Sequence, residues 1–338
     1  MPTSHSIELL HGAGGRATAR LVAEFGQALA NEWLGQGDDG AVLPPLPVGH
    51  RLVLSTDAHV VSPLFFPGGD IGALAVHGTV NDVAMMGARP LWLSVAFILE
   101  EGFATDDLRV IVHSLATAAK AAGVAVVAGD TKVVEKGKGD GLYIATTGAG
   151  ALPPGRAVSG ANAKPGDAVL LSGPIGAHGL AILNAREKLD FAQGIVSDSA
   201  ALNGLTEALF ASGATVHVLR DPTRGGVAAT LNEIAHQSGV AIELQEAALP
   251  IARQVASACE FLGLDPLDLA NEGVMLVFCP ANDAERALSA LRAHPLGTSA
   301  ARIGEVQASE RPQVRLKTAI GGLRRIEWPT GSPLPRIC

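Results

Sequence analysis

The chain has 338 residues, 48% of them hydrophobic and 17% charged, with a mean hydropathy of +0.29. That composition suffices to bury a substantial core, and the length favours two domains over one. A net charge of −8, with lysines and arginines scattered along the chain, excludes a basic footprint for nucleic acid.

The opening segment, MPTSHSIELLHGAGG, has no basic stretch followed by an apolar one, and no apolar run is long enough to span a bilayer. A cytoplasmic location is therefore expected. His11-Gly12-Ala13-Gly14-Gly15 is a glycine-rich loop able to offer backbone N–H groups to phosphate. It leads into a helix expected over 18–31. Asp38 and Asp39 follow in Gly-Asp-Asp-Gly, and a valine- and leucine-rich strand over 51–56 runs into Asp57.

Pro67-Gly-Gly-Asp-Ile-Gly72 enters a second helix over 72–86, again with a helix N-terminus open to phosphate. Asn81 and Asp82 sit inside that helix. Two adjacent poor helix formers among apolar neighbours carry a propensity cost, which a ligand role would explain. Next come a strand over 91–98 and a helix over 105–121, opened by Thr105-Asp106-Asp107 and closed by Gly123. A strand over 124–128 stops just before Asp130, Thr131 and Lys132. Asp38, Asp39, Asp57, Asp82 and Asp130 are thus acidic positions where an apolar run stops or is broken. Carboxylates converging over a sheet edge would suit Mg²⁺ beside nucleotide phosphates.

A strand over 142–147 precedes Gly150-Ala-Leu-Pro-Pro-Gly155 and Pro165-Gly166, so the domain junction is placed near 158. The second half alternates a strand (168–172), helices (176–187, 199–212, 226–238, 250–262), another strand (274–278) and a helix (283–293), an α/β pattern of helices packed on sheets. Arg220-Asp-Pro-Thr-Arg-Gly-Gly226 combines the Arg224 guanidinium with free amides at a helix start. Glu272, in Asn-Glu-Gly, stands at the mouth of the apolar run VMLVF. A carboxylate or amine in such a place, Glu272 or Lys132, can have its pKa moved toward neutrality as proton work requires.

Three cysteines, at 259, 279 and 338, are too few and too irregularly spaced for a disulfide framework or a Cys-x-x-Cys zinc site. Cys259 and Cys279 read as small buried hydrophobes. Cys338 is different. It ends a segment that loses apolar periodicity from 326 onward and carries prolines at 329, 333 and 335. Stretched out, that tail would reach on the order of 40 Å, enough to offer its thiol to a cleft.

Together HGAGG, STDAHVVSPLFFPGGDIGALAVHGTVNDVAMMGARP, VAGDTKVV, GDAVLLSGPIGAHG, RDPTRGG, NEG and terminal PRIC resemble the HypE family of nickel-iron hydrogenase maturation proteins. The resemblance spans the chain and extends to the wider aminoimidazole ribonucleotide synthetase superfamily. It implies a two-domain PurM-like α/β (α+β) fold: an ATP-binding and dimerisation domain over 1–158 whose sheet builds a dimeric, barrel-like core, a second α/β domain over 159–325, and a flexible tail over 326–338. It also implies that Cys338 is carbamoylated by HypF, dehydrated to a thiocyanate with ATP, and emptied onto iron held by HypC–HypD.

By the same resemblance Asp38, Asp57, Asp82 and Asp130 would hold magnesium and phosphates. His11, Gly12, Gly14, Gly15, Asp39, Asn81, Thr131 and Arg224 would contact nucleotide, and Lys132 and Glu272 would assist deprotonation. Two other readings are a small-molecule synthetase of the selenophosphate or aminoimidazole type, and a nucleotide-gated assembly factor without chemistry of its own. In place of the reactive cysteine expected near the N-terminal loop of a selenophosphate synthetase, this chain has His11.

Overall fold

Two sheets of different build organise the chain, and the sequence pattern shows why. The computed structural model describes residues 6–34, 40–189, 194–330, 334 and 336–338. In the first half α1 (Arg16–Ala28) leads to β1 (Arg51–His59), the short strands β2 (Phe65–Phe66) and β3 (Gly69–Asp70), α2 (Ile71–Met85), β4 (Arg89–Glu100), α3 (Thr105–Ala122), β5 (Ala125–Val134) and β6 (Leu142–Leu152). The four long strands lie in the order β1-β6-β4-β5. Only the β4–β5 pair is parallel, and α3 supplies the crossover that such a pair needs.

Side chains alternate across these strands. Val95, Phe97, Leu99 and Ile144 are buried on the helix-covered face, while Leu52 and Leu54 point the other way and remain 61% and 66% exposed. The single chain forms an open sheet with β1 and β5 at its edges, not a closed barrel.

The second half contains β7 (Asp167–Leu171), α4 (Ala177–Glu187), α5 (Asn203–Ala211), β8 (Val218–Arg220), α6 (Gly226–Ser238), β9 (Ala241–Gln245), α7 (Arg253–Leu262), β10 (Leu276–Pro280), α8 (Ala284–Arg292), β11 (Ala301–Gln307), β12 (Gln313–Lys317) and β13 (Leu323–Ile326). Seven strands pair in the order β13-β12-β9-β11-β7-β10-β8. β7 and β10 lie inside the sheet and are apolar throughout, apart from Asp167 and the terminal Pro280. Among the described residues no helix is long and apolar enough to cross a membrane.

Two expectations need correction. Asp57 and Asp130 lie within β1 and β5, so they do not meet above strand ends. The turn before α2 is closed to phosphate because Asp70 accepts the Gly72 and Ala73 N–H groups at 2.7 and 3.1 Å. Gly72 serves packing instead, since a Cβ there would lie 2.2 Å from the Ile111 carbonyl oxygen.

Candidate active site

The Asn-Glu-Gly turn is held by its own side chains. The Asn271 amide oxygen accepts from Gly176 N–H at 2.7 Å, and its nitrogen donates to the Pro222 and Leu269 carbonyls, each at 3.0 Å. Asp198 accepts from the Glu272 and Gly273 N–H groups at 3.1 and 2.9 Å. Only glycine fits at 273, where a Cβ would sit 1.8 Å from the Asp198 carbonyl oxygen. Between these anchors Glu272 is 2% exposed, and its Oε1 has no hydrogen-bond partner. Burial, then the Asp221, Asp198, Asp57 and Asp82 carboxylates, hold its pKa well above the usual carboxylate range.

The Cys338 thiol lies in the field of that carboxylate. Val60 N–H donates to the Cys338 carbonyl at 3.0 Å and Ser62 N–H to the Arg336 carbonyl at 3.1 Å, so the chain end runs beside the continuation of β1. Ile337 and Leu334 are buried. The described tail residues are thus docked against both halves of the chain. Burial, followed by the charge on Glu272, pushes the thiol pKa up, so the docked Cys338 stays protonated and is a poor nucleophile. Beside it a cavity of about 460 Å³ is lined by Ala58, Val60, Arg224, Trp328, Ile337 and Cys338.

Asp57 and Asp82 approach from the first domain. The Ser55 hydroxyl donates to Asp82 at 2.7 Å, while burial and the nearby Asp57 charge raise the Asp82 pKa. Asp57 lies 3.7 Å from the buried His59 ring, whose pKa burial lowers. From the second domain comes Asp221, which burial and the Asp82 charge push up to about 7. The Arg224 guanidinium acts on Asp82 and on the thiol, and it enters from a turn whose Gly226 has φ +62° and a would-be Cβ only 2.4 Å from the Leu267 carbonyl oxygen.

Asn81 does something other than touch nucleotide. It is fully buried, its nitrogen donating to the Ala200 and Glu272 carbonyls at 3.0 and 3.3 Å and its oxygen accepting from Leu202 N–H at 2.7 Å. It ties α2 to the loop before α5, which explains the polar pair inside an apolar helix.

The remaining predicted residues form a second group. Gly12 lies against β5, where a Cβ would be 2.7 Å from the Val133 nitrogen, and His11 folds back on its own turn, accepting Glu8 N–H at 3.0 Å. Gly14 adopts φ +81°, which favours glycine, and Gly15 caps α1. Asp130 and Lys132 pair at 2.8 Å and are 60% and 65% exposed, with Thr131 buried between them. Lys132 holds the Asp130 pKa below its ordinary value. Asp57 faces Thr146, Thr146 faces Val95, and Val95 faces Gly129, so the two groups stand three strand spacings apart, about 14 Å.

Carboxylate oxygens are fitting donors for a hard divalent cation. Asp57, Asp82 and Asp221, with pKa values raised on the latter two, form an under-neutralised set of that kind. Among the described residues, however, no three acidic, His or Cys side chains gather tightly enough to enclose an ion, and Asp38 and Asp39 lie outside those residues.

An expected outcome follows from Asp221. A carboxyl raised in the folded state favours folding below its unfolded pKa of about 4 and loses that contribution as pH rises through about 7. In metal-free buffer the native protein should therefore lose stability relative to Asp221→Asn between about pH 5 and pH 8, by on the order of 1–3 kcal/mol. Thermal unfolding at the two pH values checks it, and a constant difference would contradict the raised pKa.

Residues 37–152 match the model of the AIR synthase related protein N-terminal domain, and residues 164–317 that of the C-terminal domain. A carbamoyl dehydratase HypE from Cupriavidus necator is 58% identical over 336 residues, covering 99% of this chain and 95% of that protein. The chain belongs to the HypE family. A crystal structure of the hydrogenase maturation protein HypE in complex with ATP is 50% identical with TM-score 0.94, over 98% of this chain and 99% of that one. A HypE–HypF complex matches at 51% identity and TM-score 0.81, over 93% and 100% of the two chains.

Within this HypE-family chain, sequence reasoning missed Asp198, Asp221, His178 and Arg186. Asp221 was within reach, because it directly follows β8 inside RDPTRGG as other singled-out aspartates follow apolar runs. Asp198 gives no local signal. It acts through backbone N–H groups 74 and 75 residues away in sequence.

Proposed function

We propose that this chain is an ATP-dependent carbamoyl dehydratase whose substrate is the S-carboxamide of its own Cys338. The observation that carries the reading is the docked sulfur lying in the field of Glu272, a buried carboxyl with an unused oxygen. The names of its relatives support it: carbamoyl dehydratase, HypE with ATP, and HypE with HypF.

Dehydrating a carboxamide in water is uphill until its oxygen becomes a better leaving group. The carboxamide oxygen attacks the γ-phosphorus of ATP and ADP departs, while one N–H proton is lost to give an O-phosphorylated imidate. Loss of the second N–H proton with departure of phosphate leaves S–C≡N. Glu272 would take one of these protons, and Lys132, across the sheet in its own chain, would assist with the other only from a second copy. Arg224 offsets negative charge beside the thiol, and the backbone around Cys338 fixes its direction of approach. Asp57 and Asp82, with Asp38, would hold Mg²⁺, which when bound supplies charge neutralisation for the phosphates, and Asp130 would join them only from a second copy of the chain. Asp39, Thr131 and the His11–Gly15 turn would meet the nucleotide.

We further infer a homodimer. The apolar outer face with Leu52, Leu54 and Ile98, and the edge positions of β1 and β5, suit closure of two four-stranded sheets on each other. The domains would run 1–158 and 159–325, with residues 326–338 as a tail moving between HypF, which loads it, and HypC–HypD, which accepts cyanide. This cycle belongs in the cytoplasm.

Intact mass tests the central step. Carbamoylated protein given Mg-ATP should lose one water, and Cys338→Ala should neither gain the carbamoyl group nor change. An unchanged mass in native protein that binds ATP would defeat the proposal.

A further inference from the structure

The inward tail is held at few points, and they come from both domains. The Arg186 guanidinium, near the end of α4, donates to the Ser62 carbonyl at 2.8 and 3.0 Å and to the Arg336 carbonyl at 2.9 Å. It thereby joins the continuation of β1 to the tail across their shared pairing. Two turns earlier on α4, the buried His178 ring bonds the Ile337 carbonyl through Nε2 at 2.8 Å and Ser197 through Nδ1, also at 2.8 Å. His178 N–H donates to Asp198 at 3.0 Å, the same carboxylate that anchors the Glu272 turn. Burial lowers the His178 pKa, which leaves a neutral ring whose Nε2–H faces the carbonyl and whose Nδ1 accepts from the Ser197 hydroxyl.

The third point is Asp140, on the loop between β5 and β6, which pairs with the Arg336 side chain. That loop is itself ordered by Glu100, which accepts from Gly137 and Gly141 N–H groups. Arg336 has φ +56°, a left-handed backbone that residues with a side chain rarely adopt. The docked end is therefore held against a local backbone preference, which favours its release once the latch contacts are lost.

We propose that Arg186 and His178 are positioning residues for the reacting sulfur, acting through the carbonyls of Arg336 and Ile337, and that with Asp140 they form a latch setting the share of time Cys338 spends in the cleft. The inference rests on Cys338 being the reacting group. It concerns residues to which the reaction itself assigns no part. A looser latch should expose the thiol to loading and slow its dehydration while Cys259 and Cys279 stay buried, whereas a structural defect would expose those two thiols as well.

The test uses the full chain in two arms. In the first, unmodified protein is treated with iodoacetamide and alkylation of Cys338 is followed by mass, with the buried Cys259 and Cys279 as reporters of folding. Arg186→Ala and His178→Ala should each speed Cys338 alkylation roughly tenfold, the scale of one lost hydrogen bond to a charged or buried group, with Arg186→Lys in between. In the second arm, single-turnover dehydration of carbamoylated protein should slow by a similar factor with the half-saturating ATP concentration unchanged.

Native alkylation rates in both alanine variants, with Cys259 and Cys279 unreacted, would overturn the latch. Should an alanine variant expose Cys259 and Cys279, Asp140→Asn decides in its place, because Asp140 is a half-exposed loop residue whose loss leaves the core intact. Absence of dehydration in native protein would count against the proposed function, whereas the alkylation arm reads the latch alone.

Discussion

Glu272→Gln should leave carbamoylated protein unable to complete dehydration, with turnover reduced by about 10²–10⁴-fold. The exchange keeps shape and volume but removes the ability to accept a proton, and Oε1 is the atom left free to accept one. Because burial and four neighbouring carboxylates raise the Glu272 pKa, the ionised base becomes available as pH rises. The native single-turnover rate should accordingly rise with pH in a limb lying above the ordinary carboxylate range, and the residual rate of the variant should lack that limb. Alkylation of Cys338 and ATP binding serve as controls, since neither needs the proton transfer. A variant rate within about threefold of native would remove Glu272 from the chemistry, because a general base contributes far more than that.

The same turn illustrates how far the sequence could be read. Hydrophobic periodicity located the eight α-helices found among the described residues, because each presents an apolar stripe or, as in α2, is buried nearly all round. It located β1, β4, β5, β6, β7 and β10, which carry the apolar runs, whether they lie inside a sheet or at its edge. β2, β3, β8, β9, β11, β12 and β13 escaped: β2 and β3 have two residues each and β8 three, and β12 and β13 alternate or end with arginine and lysine on a solvated face. The candidate site was legible where one residue type sits in an unusual local setting, as with Glu272 and Arg224. It was misread where role depends on a distant partner. Asn81 looked like a ligand inside a helix, yet its amide is spent on residues 200, 202 and 272. Asp130 looked like a neighbour of Asp57, and only strand order reveals that the sheet lies between them.

That separation predicts a result that neither mutant alone can give. Lys132 faces Ile98, Ile98 faces Tyr143, and the row ends beside Val60, whose N–H carries the Cys338 carbonyl. Three strand spacings, about 14 Å, exceed the reach of a lysine side chain across its own sheet. If two sheets close on each other, the partner's β5 edge comes beside β1, and each cleft is completed by a lysine from the other copy. Lys132→Ala and Cys338→Ala should then each be inactive as homodimers. Co-expressed with distinguishable tags, they should form mixed dimers in which the Lys132→Ala chain supplies Cys338 and Glu272 while its companion supplies Lys132. Random pairing makes half the dimers mixed with one working site in two, so turnover should recover to about a quarter of native. Mass spectrometry should find the thiocyanate only on the Lys132→Ala chain. Mixed dimers that are verified yet inactive would mean that Lys132 serves no cleft but its own, or none, and that the far edge of the sheet takes no part in completing the neighbouring site.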